Sequence, residues 1–115
     1  MEFSISDEQV RSTTYVVRPR GEIDLAVAGE LKDHLLHLID AGGKSLIVDL
    51  GGVSFLDSTG LRALMTAHRR AEDVGGRVVV ARAGGYVAEI FEMTGLDVVF
   101  PLHSSVDAAL AGRVT

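Results

Sequence analysis

No cysteine occurs in the 115 residues, so neither a disulfide nor a thiolate metal site is available, and the chain suits a reducing compartment. No apolar run nears the roughly 18 residues that a membrane span requires. The acidic start, Met1-Glu2-Phe3-Ser4-Ile5-Ser6-Asp7-Glu8, has no apolar signal core. Clustered cations are missing as well. Lys32 and Lys44 are the only lysines, the arginines are scattered apart from Arg69-Arg70, and the net charge is -5. Binding to a phosphate backbone needs grouped Lys and Arg, so direct contact with nucleic acid is not expected, and a partner with a basic surface suits the charge better. Linkers, repeats and low-complexity stretches are absent too. What remains is 47% hydrophobic and 23% charged, the profile of one compact domain over residues 1–115 with a real core. A cytoplasmic protein is expected.

Strand and helix patterns alternate along the chain. Residues 3–5 and 14–18 read as an antiparallel opening pair, the second rich in β-branched residues and ended by Pro19. Leu31, Leu35, Leu38 and Ile39 then recur at helical spacing and stop at Gly42-Gly43, with Lys32, Asp33 and His37 on the other face. Residues 45–50 form a short, nearly continuous apolar run, the mark of a covered central strand. After a short loop, a second helix spans about residues 59–74, its apolar stripe formed by Leu61, Leu64, Met65, His68 and Ala71. A strand at 77–81, a short helix at 86–93 closed by Thr94-Gly95-Leu96, a strand at 98–100 stopped by Pro101, and a helix capped by Ser104 or Ser105 complete the order. The implied fold is α/β: a mixed sheet of four to five strands with about four helices mainly on one side.

Most catalytic motifs fail when tested. Gly43-Lys44-Ser45 resembles the end of a phosphate-binding P-loop, but Leu38 stands where the first glycine is needed and a strand follows where a helix should begin. No Gly-x-Ser-x-Gly elbow occurs. His34 and His37 lie one helical turn apart without the acidic or histidine company a metal would need. Asp24, Asp49 and Asp57 are the carboxylates nearest the central loops, in positions that caps and strand ends commonly give to aspartate.

The informative stretch is Leu46-Ile47-Val48-Asp49-Leu50 followed by Gly51-Gly52-Val53-Ser54-Phe55-Leu56-Asp57-Ser58-Thr59-Gly60-Leu61. It sets a hydroxyl at the electropositive start of a helix. Two readings follow. Asp57-Ser58 is a helix N-cap, whose side chain bonds the free amides of the first turn for about 1 kcal/mol. Alternatively Ser58 is a phosphorylation site, where a phosphate brings roughly 1.5 to 2 negative charges that a helix start tolerates. The nearest histidine along the sequence, His68, lies ten residues down the same helix, about 15 Å along its axis, so Ser58 has no local base and a hydrolase reading finds no support.

Three motifs in order give the chain a family likeness. Gly21-Glu22-Ile23-Asp24, then Val48-Asp49-Leu50 with Val53 to Leu61, then Phe91-Glu92-Met93-Thr94-Gly95-Leu96 resemble those of bacterial anti-sigma-factor antagonists, built on the STAS fold named for sulfate transporters and anti-sigma-factor antagonists. The resemblance covers nearly the whole chain. It implies that Ser58, or less readily Thr59, is phosphorylated by an anti-sigma factor that is itself an ATP-dependent serine kinase. The unphosphorylated form would bind that kinase and free the sigma factor, and a phosphoserine phosphatase would reset the switch. Asp24, Leu25, Val27, Asp57, Ser58, Thr59, Gly60 and Arg62 are then the expected partner-binding residues. Asp24 and Asp57 flank the hydroxyl for contact and orientation, while no cofactor belongs to this chain because ATP and its metal belong to the kinase. Gly60 either lets the partner approach closely or relieves crowding in the first turn.

A retained phosphate facing acidic groups of the kinase would cost roughly 4 kcal/mol per pair at about 4 Å and an effective dielectric near 20. Half of that weakens binding about 30-fold. Two departures from the family pattern stand out: Val27 occupies the position of a usual capping hydroxyl, so Asp24 is expected to cap the first helix, and Gly84-Gly85 replaces a polar-Pro start to the third. The expected state is a monomer or weak dimer. Two further readings remain: a constitutive scaffold, as in stressosome-like or lipid-transport complexes, and the transporter-tail form, which a short chain without a membrane segment argues against.

Overall fold

A computed structural model describes residues 2–112. Ten elements follow in order: β1 (Ser4–Arg11), β2 (Thr14–Ile23), α1 (Leu25–Asp40), β3 (Ser45–Asp49), β4 (Val53–Leu56), α2 (Ser58–Asp73), β5 (Arg77–Ala81), α3 (Gly85–Thr94), β6 (Leu102–His103) and α4 (Val106–Leu110). β1 and β2 pair antiparallel, as expected, from Ser4↔Arg20 to Arg11↔Thr14. The sheet then runs β1-β2-β3-β5-β6, its later pairs all parallel, with β4 beside the far end of β2. Alternate residues of a strand face opposite sides. Val17, Val48 and Val80 therefore join one core with Leu31 and Leu35 of α1, Leu64 of α2 and Phe91 of α3. Val16, Ile47 and Val79 point the other way and pack beneath Ala109 of α4. Three helices cover one face and the short α4 the other, the mainly one-sided arrangement that the pattern implies.

Three expectations are corrected. The segment after β3 is not all loop, because Val53–Leu56 forms β4 against the end of β2. Four residues with two buried ends are too few for a period to show. Pro19 does not end β2. The ladder to β3 covers Thr14 to Val17 and the ladder to β4 starts at Gly21, so Pro19 falls in the gap between parallel neighbours, where its missing N–H costs nothing.

The strand expected at residues 98–100 is a turn, and the strand, β6, follows Pro101 instead of stopping at it. Val98 is 83% exposed while Phe100 is fully buried, its ring edge-on to Phe91 and His68. The apolar run there serves to drop one aromatic plug into the core. Other ends fall close to expectation: Gly95 closes α3 in the left-handed conformation (φ 74°), and Ser105 Oγ caps α4 by accepting from Ala108 N at 3.0 Å. Among the described residues no helix is long and apolar enough to cross a membrane.

If Phe100 is a plug, Phe100→Ala should cost about 3–5 kcal/mol. Val98→Ala should stay within about 0.5 kcal/mol. Urea midpoints of the two variants check this, and comparable losses would contradict the turn.

Candidate functional site

Strands β2 and β4 end in register at Ile23↔Leu56, and the next residue of each is an aspartate that starts a helix. Asp24 Oδ1 accepts from Ala26 N at 3.0 Å. Asp57 Oδ1 accepts from Thr59 N at 2.9 Å and Gly60 N at 3.3 Å, and the Thr59 hydroxyl donates to the same oxygen. Asp57 N in turn donates to Ile23 O at 3.3 Å, which ties the two caps together. α1 and α2 therefore begin side by side, and their positive ends share one edge of the molecule.

The cap left open between Asp57 and Ser58 falls to Asp57, and Asp24 caps α1 as Val27 had suggested. Ser58 is the first residue of α2, exposed, with its hydroxyl outside the cap. Thr59 differs, being half-buried with its hydroxyl committed to Asp57. That hydroxyl is the largest cause holding the Asp57 carboxyl below the usual carboxylate range; burial opposes it, and the amides of Gly60 and Thr59 add to it.

Gly60 is buried, and a Cβ there would come within 2.3 Å of Leu56 Cδ1 and 2.8 Å of Ile23 Cγ2. Of its two readings, the packing supports relief of internal crowding, because the glycine lets α2 lie down on the β2–β4 pair. Leu25 and Val27 divide: Leu25 is 78% exposed at the site, whereas Val27 is half-buried against the core. Arg62, one turn after Ser58, is exposed and borders two shallow grooves. The first, between α1 and α2, has a volume near 260 Å³ and is lined by Leu25, Gly29, Lys32, Thr59, Arg62 and Thr66 among others. The second, about 480 Å³, lies between α2 and α3 and includes Ser58, Met65, Arg69 and Leu96.

Thr66, Arg69 and Leu96 line the second groove but were not among the expected partner-binding residues. Arg62, Thr66 and Arg69 follow i, i+4, i+7, a polar stripe beside the apolar one, and that spacing was the available signal.

Other candidates lie elsewhere. Asp49 is buried on the α4 side, where its Oδ2 meets Arg82 Nη1 at 3.2 Å and Arg18 Nε at 3.6 Å while Oδ1 accepts from Gly51 N. It holds the β3–β4 turn, and Arg82 adopts a left-handed backbone (φ 60°) beside it. His34 pairs with Asp7 at 2.7 Å across to β1. His68 Nδ1 accepts from Val78 N at 3.1 Å, so its ring faces β5 and not Ser58. Gly84 starts α3 without a side-chain cap, and Tyr86 in its first turn stacks on Phe55 of β4 at 6.0 Å.

The profile of the STAS domain matches residues 6–109. The chain belongs to the STAS domain family. Anti-sigma-F factor antagonist RsfB of Mycobacterium tuberculosis is 36% identical to this STAS domain over 95 residues, 80% of this chain and 75% of RsfB. A crystal structure of an anti-sigma factor antagonist from Mycobacterium paratuberculosis matches with a TM-score of 0.82 at 30% identity, covering 95% of this chain and 93% of the other. Bacillus SpoIIAA in its phosphorylated form shares the fold, with a TM-score of 0.74 at 23% identity over 96% of this chain and 100% of the other. The two mycobacterial relatives are anti-sigma factor antagonists by name, and SpoIIAA shares the fold.

The Asp57 cap makes stability depend on pH. A carboxyl lowered in the folded state stabilises fully above its ordinary value of 3.8, and that contribution disappears as pH falls through the lowered folded value. Asp57→Ala should cost about 1 kcal/mol at neutral pH. Asp57→Asn should keep much of the cap and lose this part of the acid dependence. Thermal melts of the three proteins from pH 7 down to about pH 3 check it; identical acid dependence in wild type and Asp57→Asn would contradict the cap's ionic character.

Proposed function

We propose that this STAS domain acts as an anti-sigma-factor antagonist whose grip on an anti-sigma factor with serine-kinase activity is released by phosphorylation of Ser58. One observation carries the reading. Ser58 is the exposed hydroxyl at the paired helix starts that the fold does not use, since Asp57 supplies the cap and Thr59 is bonded to it. A kinase can therefore reach Ser58 without unfolding anything, and a phosphate there meets favourable helix charge inside this chain while it meets repulsion from an acidic partner site. The same fold has been solved for SpoIIAA in phosphorylated and unphosphorylated forms, so the architecture accommodates both states.

Partner contact falls to Asp24, Leu25, Ser58, Thr59 and Arg62 on the surface, with Asp57 fixing the helix start that carries Ser58 and Val27 and Gly60 supporting from beneath. Leu25 supplies the apolar anchor, and Arg62 the cation. The domain works by binding and not by turnover, in the cytoplasm with the transcription machinery, and a phosphatase acting on phosphoserine returns it to the binding form.

Intact-mass and site-mapping spectrometry, after incubation with ATP and each anti-sigma-type kinase of the same genome, tests this directly. A single phosphate on Ser58, absent from Ser58→Ala, is the expected result. Binding without phosphate would favour a constitutive scaffold. Ser58→Asp should also weaken partner binding by about 30-fold while leaving stability within about 1 kcal/mol, as calorimetry and thermal melts can measure; an unfolded Ser58→Asp protein would contradict the mechanism.

A further inference from the structure

The arginines of this chain are not equally occupied. Arg18, Arg70 and Arg82 each hold a carboxylate, on Glu8 and Asp49, on Asp40, and on Asp49 respectively. Arg62 holds none among the described residues, as is true of Arg11, Arg20, Arg69 and Arg77, but it is the one a single helical turn from Ser58. Both residues line the groove between α2 and α3. Side chains four apart share a helix face with their Cβ atoms about 5–6 Å apart, and an acidic group N-terminal to a basic one is the better orientation.

We propose that Arg62 is the internal partner of phosphorylated Ser58: once the phosphate is in place, it draws the guanidinium back one turn into a charge-assisted, two-pronged contact. This rests on the reading of Ser58 as the acceptor and deepens it. Two carboxylates, Asp24 and Asp57, begin the adjoining helices and repel the phosphate, so the nearest cation along α2 decides where it settles. Arg62 is that cation, one turn along the same helix. Arg69 shares the groove but lies seven residues further along, about 10 Å down the axis. Lys32 borders only the other groove, which Ser58 does not line.

The consequence concerns the switch itself. In the unmodified domain Arg62 stands between both grooves, free to meet an acidic group of a partner. Phosphorylation then does two things at one site: it adds negative charge at Ser58 and withdraws the positive charge of Arg62 from the docking surface.

Phosphoserine incorporated at position 58 through an expanded genetic code, with no kinase involved, permits a phosphorus NMR titration of the full chain. A nearby cation stabilises the doubly charged phosphate, so its second ionisation should fall about half a pH unit lower in the wild-type background than with Arg62→Gln. Arg62→Lys should restore part of the shift, Arg69→Gln should move it far less, and high salt should shrink the difference. Superimposable titrations of the wild-type and Arg62→Gln backgrounds would overturn the proposal, as would an equal effect from Arg69→Gln. Because the phosphate is installed directly, such a failure removes Arg62 from the mechanism and leaves Ser58 as acceptor, whereas failure to find a kinase leaves this titration unaffected.

Discussion

The pairing of Ile23 with Leu56 is the constraint on which the rest of the site depends. Two parallel strands that end level with one another must start their following helices level as well. Asp24 and Asp57 are thereby brought to neighbouring positions although 33 residues separate them, and the hydrogen bond from Asp57 N to Ile23 O locks that alignment. Gly60 completes it, because any side chain there would collide with Ile23 and Leu56, the same two residues that define the strand ends. The exposed position of Ser58 is a by-product of this arrangement: once Asp57 has taken the cap, the next residue has nothing to hold.

A site of this kind can change its binding without changing its shape. The helix starts are fixed by backbone pairing and by caps that do not involve the Ser58 hydroxyl, so charge can be added there at little cost to the fold. The information sits in surface electrostatics. The ion cluster around buried Asp49, whose partners Arg18 and Arg82 are partly exposed, stands apart on the α4 side and pins the turn that leads into β4.

Much of this was legible in the sequence, for identifiable reasons. The helices announced themselves by apolar spacing, and Gly95 and Ser105 marked ends that the structure bears out. Asp24, Asp57 and Ser58 could be picked out because cap chemistry is local. What stayed hidden depends on partners distant along the chain. β4 is only four residues long and exists because β2 runs on past Pro19, and Pro19 is tolerated because β2 changes neighbours at that point. Likewise residues 98–100 have strand composition, but Phe100 is claimed by Phe91 and His68, which the local pattern could not reveal. The grooves beside α2 are a tertiary product too; only the i, i+4, i+7 spacing of Arg62, Thr66 and Arg69 hinted at them.

The central claim is that a phosphate on Ser58 acts on the surface and not on the fold. Calorimetric titration of the unmodified and the Ser58-phosphorylated domain onto the same anti-sigma kinase, with thermal melts of both forms, tests it most directly. The account predicts a dissociation constant raised about 30-fold or more with stability shifted by no more than about 1 kcal/mol. Equal affinities for the two forms, or a loss of binding that merely follows a large loss of stability, would contradict it.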